Sequence, residues 1–341
     1  MTKSVLEDWR TSWVVAAMIG VVFLATNLPW QLDDYDQAKQ AYTSFEMVNA
    51  AHWFYQHTPH ERIATKPPLV AWISAALFAI TRSWELAWRL PSLLAAMALS
   101  ILLFRAAGVA YGAAAGLIAV GAFGLNLLTP RLATLVRTDM PLAFVVFLIG
   151  LYIWQKIRAQ TPWTTPDRLA MFAFLIAAVL IKGPIVYAFL VPGIALAALY
   201  DRHNGLNAWC GWWPWLGSLG IFLLWTTGGV LFQPGFFDQV VLREFLGRFG
   251  ETVHLPQPIY FYFPHLLHKF APWSVLIVAL ALVDIGKLDR LNRSSLETPI
   301  RRKVSPEMVW LIGWALGGLI VMSLIPSKRV DRIFPVIPPF C

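Results

Sequence analysis

"LAMFAFLIAAVLIKGPIVYAFLVPGIALAALY", residues 169–200, carries one charged side chain, Lys182, in thirty-two positions. A helix crosses the hydrocarbon core of a bilayer with about 20 apolar residues. The run is too long for one crossing, and Lys182-Gly183-Pro184 divides it into a span that arrives and a span that leaves. An ammonium at that turn is open to two readings. It is a helix-end lysine reaching for the interface, or a cation waiting for an anionic headgroup.

The rest of the chain agrees with a membrane. Of 341 residues 58% are hydrophobic and only 13% are charged, against about 25% charged in soluble domains; the mean hydropathy is +0.60. The formal net charge of +8 does not imply nucleic acid. Lys287, Arg290, Arg293, Arg301, Arg302 and Lys303 crowd one short segment between apolar runs, which is the signature of a cytoplasmic loop. Seventeen tryptophans suit interfacial belts, as in the cluster Trp209, Trp212, Trp213 and Trp215. Cys210 and Cys341 offer neither a disulfide framework nor metal-ligand spacing.

With the N-terminus in the cytoplasm, a first helix over 11–30 exits, and 31–65 is a long external segment with surface helices. Apolar runs over 67–81, 87–107 and 113–130 follow. Three full crossings would put Asp139 opposite Asp36, so the short first run reads as partial or re-entrant if Asp139 is external. Spans at 140–155, 169–181, 185–200, 216–232, 266–286 and 307–325 complete the path, with a second external loop at 233–265. In this assignment Asp36, Lys66, Asp139, Lys182, Arg248, Lys328 and Arg329 all reach one face. The expected fold is therefore an all-α polytopic membrane bundle forming one domain over 1–341. "IFPVIPPFC" at its end reads as the start of a further segment, so a C-terminal module is expected beyond it.

External cations go against topological bias, so four of them favour an anion, most naturally a lipid phosphate; Arg offers a bidentate fork and Lys a point charge. The acids have plainer readings as well. Asp139 in "VRTDMPLAF" begins a helix and suits its dipole. Asp36 in "LDDYDQAKQAY" is a candidate cap, with Asp33 and Asp34 merely solvated. Placed beside cations, one carboxylate can serve as general base and another can position an acceptor or bind a metal. His52, His57 and His60 flank aromatic residues without a metal-motif spacing, and His254, His265 and His268 belong to an external loop. Tyr260 and Tyr262 fit an interfacial belt or a sugar pocket equally well. No Gly-rich phosphate loop of the usual spacing is present.

An ordered set of short motifs then resembles a known family. These are "DQAKQAYTSFEM" (36–47), "TKPPLVAW" (65–72), "WRLPSLLAAM" (88–97), "RTDMPLAF" (137–144), "KGP" (182–184), "REFLGRF" (243–249), "PWS" (272–274) and "SKRVDRIFPVIPP" (327–339). Together they resemble the polytopic transferases of the C-type glycosyltransferase fold, the aminoarabinose transferases and protein O-mannosyltransferase relatives. The resemblance implies a hexosyl- or pentosyltransferase that uses a polyprenyl-phosphate sugar, with Asp36 and Asp139 as the catalytic acids. It implies Lys66, Lys182, Arg248, Lys328 and Arg329 as donor-phosphate ligands. It also implies an active site on the outer face of a bacterial inner membrane, acting on a lipid, glycan or protein acceptor. No cofactor is certain; a divalent metal ion is the one the site could use. Thr65 departs from the pattern, because the aminoarabinose transferases carry Glu before the Lys-Pro pair. A secondary transporter, or a membrane subunit that only binds a lipid carrier, would also place ionisable groups in the membrane; no internal repeat supports the first.

Overall fold

The computed structural model describes residues 9–200, 205–248, 256–280, 282 and 305–341. The basic segment 287–303 and His254 lie outside the described residues. Among the described residues the chain is helical, apart from one isolated antiparallel bridge, His57 to Ile63. It is an all-α polytopic membrane protein. Among the described residues four helices are long and apolar enough to cross a membrane, namely α4 (Trp84–Tyr111), α7 (Asp139–Ala159), α10 (Trp212–Phe232) and α13 (Pro306–Leu324). A fifth span is the pair Ile259–Lys269 and Trp273–Leu280 if its 101° bend lies within one crossing. The expected span at 266–286 is thus broken. The shorter α1 (Trp9–Thr26), α3 (Leu69–Thr81), α5 (Ala113–Gly124) and α9 (Ile185–Tyr200) fill the bundle.

The path between Lys66 and Asp139 is resolved by aromatic packing. α2 (Tyr35–Ala50) lies at one end of the bundle. α3 packs along α2, with Ala71 and Ala75 against Met47, and Phe78 in its last turn stacks on Trp84 at 3.9 Å. Trp84 packs on Phe45 of α2, and Trp88 donates to Ser44 at 3.0 Å. Lower in the same turns, Arg89 and Ser92 donate to the carbonyls of Thr134 and Leu135. The first turns of α4, the approach to Asp139 and α2 therefore share one level. α4 and α5 pack against each other as a hairpin, which brings the chain back to this level before Asp139. At the tip of that hairpin Gly112 has φ +96°, and a Cβ on Gly116 would lie 2.7 Å from the Phe104 carbonyl. Only a residue with no side chain permits so close an approach.

α7, α8 (Thr165–Lys182), α9 and α13 form the rest of the frame. α10 starts at Trp212, so most of the tryptophan cluster belongs to the helix rather than preceding it. Among its described residues the loop at 233–265 is largely helical, with a π-helix at Phe237–Phe245, a 3-10 turn at Leu246–Arg248 and α11 at Tyr262–Lys269.

Candidate functional site

The acidic stretch that follows α1 is sorted by the start of α2. Asp34 is the cap, in extended backbone, with its side chain accepting from the Gln37 N–H at 2.8 Å. Asp33 accepts from the Gln37 amide at 2.6 Å. The same buried Gln37 accepts from the Val136 N–H, which fixes α2 against the segment leading into α7. Asp33 and Asp34 are therefore structural rather than merely solvated, and Asp36 is not the cap. It sits in the first turn, where it faces the cavity.

That cavity has a volume of about 280 Å³. Asp36, Lys66, Asp139, Lys182 and Arg329, five positions singled out from sequence, all line it. They arrive from α2, the 51–68 segment, the start of α7, the end of α8 and the strand-like residues after α13. Asp36 Oδ2 accepts from Arg329 at 2.6 Å and lies 3.7 Å from Arg137. Partial burial pushes the Asp36 carboxyl up, but the Arg329 hydrogen bond and the charges of Arg329, Lys66 and Arg137 outweigh it and hold the group below its ordinary value. Asp139 and Lys182 form a buried ion pair between the N-terminus of α7 and the C-terminus of α8, where both helix dipoles favour the charges they carry.

Lys66 differs from the other two lysine and arginine partners of the acids. It has no ion-pair partner among the described residues, and burial together with the like charge of Lys182 pushes its ammonium down to about 7. A lysine in that condition regains a full charge when an anion arrives.

Arg137 was not singled out from sequence, yet it ties the site together. Its guanidinium reaches Asp34 at 2.7 Å and Asp331 at 2.5 Å as well as Asp36. Its only sequence signal is its place two residues before Asp139. Asp331, Arg332, Lys39, Arg62, Arg243 and Glu244 also line the cavity without having been picked out. Each looks like an ordinary polar loop residue until the ends of distant helices meet.

One expected phosphate ligand stands apart, and another falls outside the described side chains. Lys328 does not line the cavity; its ammonium is buried and donates to the Gln257 carbonyl at 2.8 Å. The backbone of Arg248 closes the 3-10 turn 246–248, and its side chain lies outside the described residues. Arg332 occupies the place expected of Lys328, held by Ser327 through its carbonyl at 2.6 Å and its hydroxyl at 2.9 Å.

A second space, of about 430 Å³, adjoins the first through Thr65, Lys66, Lys182, Glu244 and Arg332, which line both. Its other walls are mostly apolar, from Pro184 before α9, Ile185 and Ala188 of α9, and Val321, Met322 and Leu324 of α13. A charged chamber thus opens onto a greasy one.

Residues 65–228 match the family model described as dolichyl-phosphate-mannose-protein mannosyltransferase. Over 97% of its length the chain is 22% identical to the undecaprenyl phosphate-alpha-4-amino-4-deoxy-L-arabinose arabinosyl transferase 2 of Proteus mirabilis strain HI4320. Its structure superposes on the crystal structure of ArnT from Cupriavidus metallidurans bound to undecaprenyl phosphate with a TM-score of 0.74, at 22% identity over 97% of this chain. The apo form of the same protein gives 0.63 over 98%. The chain has the C-type glycosyltransferase fold. It spans 58% of the length of the curated relative and 59% of the ArnT chain.

Within this C-type fold the matched region begins at Thr65 and contains Lys66, Asp139 and Lys182, while Asp36 and Arg329 come to the same cavity from outside it. Thr65 supplies no carboxylate beside Lys66, and of the acids that line the cavity Asp36 is bound to Arg329, Asp139 to Lys182 and Asp331 to Arg137, with Glu244 also in the wall. The charged cavity of this C-type fold is a poor fit for a divalent metal, and the mechanism below runs without one.

Proposed function

We propose that this chain is the catalytic part of a glycosyltransferase that moves a sugar from a polyprenyl phosphate to an acceptor, with inversion, at the outer face of a bacterial inner membrane. The observation that carries the reading is the continuity between the cation-lined cavity and the apolar space between α9 and α13. A polyprenyl-phosphate sugar has the same two parts in the same order.

In this reading the lipid tail lies along α9 and α13, and Lys66, Lys182, Arg329 and Arg332 face the phosphate. The acceptor hydroxyl oxygen attacks the anomeric carbon as the bond from that carbon to the phosphate oxygen breaks. The polyprenyl phosphate leaves with one more negative charge than it had in the donor. Fixed cations aimed at that growing charge lower the barrier. Arg137 and Arg329 both approach Asp36 at Oδ2, which leaves Oδ1 to take the proton from the acceptor hydroxyl as the new bond forms. Asp139, paired with Lys182, positions that lysine rather than exchanging a proton.

The test is transfer from a labelled polyprenyl-phosphate sugar by the purified protein, with the anomeric configuration of the product read by NMR. Asp36→Asn is expected to lower turnover by about 10²-fold or more, the usual share of a general base. Unchanged turnover in a folded Asp36→Asn protein would sink the assignment, and retention of configuration would sink the single displacement.

A further inference from the structure

Away from the charged cavity, one cluster has a chemistry that the transfer reaction does not use. Glu46, in the fourth turn of α2, is 8% exposed, and His52 and His57 from the following segment converge on it. Glu46 Oε1 lies 2.8 Å from His52 Nδ1 and 2.7 Å from His57 Nδ1. Glu46 Oε2 accepts the His57 backbone N–H. One ligand atom from each side chain falls within 4.8 Å of the others. The two rings meet edge to face with centroids 5.5 Å apart.

We infer that Glu46, His52 and His57 form a divalent metal site, suited to Zn²⁺. Two imidazole nitrogens and one carboxylate oxygen are a donor set zinc accepts at roughly 2.0–2.2 Å, and three protein ligands leave a fourth position for water. His52 is the open side of the site, its side chain 48% exposed. Hard cations such as Mg²⁺ prefer all-oxygen shells, which this cluster does not offer. Bringing a metal in requires the three donors to spread by about half an ångström from their present hydrogen-bonding separations.

A support beyond the three ligands is present as well. The Gln233 amide, just past the end of α10, lies 2.9 Å from His57 Nε2. The facing atom is the Gln233 amide nitrogen; with His57 Nδ1 on the metal and the proton on Nε2, turning the amide over places its carbonyl oxygen there to accept, the kind of partner that orients most metal-bound imidazoles. The site therefore joins α2, the 52–57 segment and α10. His57 immediately precedes Thr58 and pairs across the bridge with Ile63, and both Thr58 and Ile63 line the charged cavity. A metal here braces one wall of that cavity without touching it. His60 is no part of the set; it is exposed and stacks on Tyr35.

The experiment is a Zn²⁺ titration of chelator-stripped, purified protein against a chromophoric competitor, with Co²⁺ uptake followed by visible spectroscopy. Wild type and His60→Asn are expected to bind one Zn²⁺ tightly and to give the intense bands of a tetrahedral cobalt site. His52→Asn is expected to bind at least about tenfold more weakly, and Gln233→Ala roughly 10- to 100-fold more weakly. His52→Asp, which keeps a ligand atom, restores binding and guards against a merely unfolded variant. Equal Zn²⁺ binding by wild type and His52→Asn, or no tight site in wild type, overturns the inference and leaves a hydrogen-bonded cluster. None of these readouts depends on sugar transfer, so the two proposals fail separately.

Discussion

The two ends of the helical bundle use the same kinds of charge in opposite ways. At the end away from the cavity, Lys156 meets Asp167 at 2.5 Å, and Asp167 also accepts from Tyr152 at 2.6 Å and from the Thr164 hydroxyl at 2.7 Å. Thr164 and Asp167 form a reciprocal capping box at the start of α8. All of these partners lie between positions 152 and 167, on two consecutive helices. At the other end Asp36, Lys66, Asp139, Lys182 and Arg329 come from five separate stretches of chain and surround a space. Charges that close on near neighbours stitch helices together; charges brought from far apart around a void are there for something that enters it.

The largest expected effects break the cavity end. Asp36→Asn should remove about 10²-fold or more of the transfer rate while the melting temperature stays close to wild type, because Asp36 is partly exposed and Asp34 carries the cap. Asp139→Asn should act differently, as it breaks the buried ion pair with Lys182. A loss of roughly 3–5 kcal/mol of stability is expected for one partner of a buried pair, read by thermal unfolding in detergent. Lys182→Met on top of Asp139→Leu should recover much of that loss, but not donor binding.

Lys66 sharpens the comparison through pH. Its ammonium is depressed to about 7, so the charged form that attracts phosphate dominates below that value and is lost above it. Polyprenyl-phosphate affinity should therefore weaken as pH rises from below to above neutrality, and Lys66→Arg should flatten the profile, since arginine stays charged throughout. Isothermal titration across that range checks both. The smallest effect belongs to the far end. Asp167→Asn should cost about 1 kcal/mol through the weakened cap and leave the transfer rate unchanged. Lys328→Met should likewise leave donor affinity unchanged, because its ammonium serves the Gln257 carbonyl. If Lys328→Met abolished donor binding, the lining of the cavity would have to be redrawn.

Legibility in the sequence followed the range of the interaction. The apolar runs announced the spans, and α13 begins and ends within a residue of expectation. The run at 67–81 could not be placed by length alone. Where α3 packs is decided by Phe78 on Trp84 and by Ala71 and Ala75 on Met47, contacts that no periodicity encodes. Asp36, Lys66, Asp139, Lys182 and Arg329 were recognisable as ionisable groups bordering apolar segments and as parts of ordered motifs. Arg137 and Arg332 were not, because an arginine in a polar loop is unremarkable until its partners are known. The histidines of the Glu46 cluster were set aside because their spacing matched no metal pattern. A helix followed by an irregular segment can bring Glu46, His52 and His57 together without any regular interval.

By itself, then, the sequence determined that the chain lives in a membrane, how its helices are cut, and which carboxylates and cations were worth attention. Those properties are sums over neighbouring residues, since transfer of an apolar segment out of water depends little on what lies beyond it. Only the tertiary structure decided that Asp34 caps while Asp36 faces the cavity, that Arg332 rather than Lys328 lines it, and that Lys66 has no ion-pair partner among the described residues. Each of those outcomes depends on electrostatic contacts a few ångströms long between residues up to 293 positions apart, and such contacts exist only once the helices are packed.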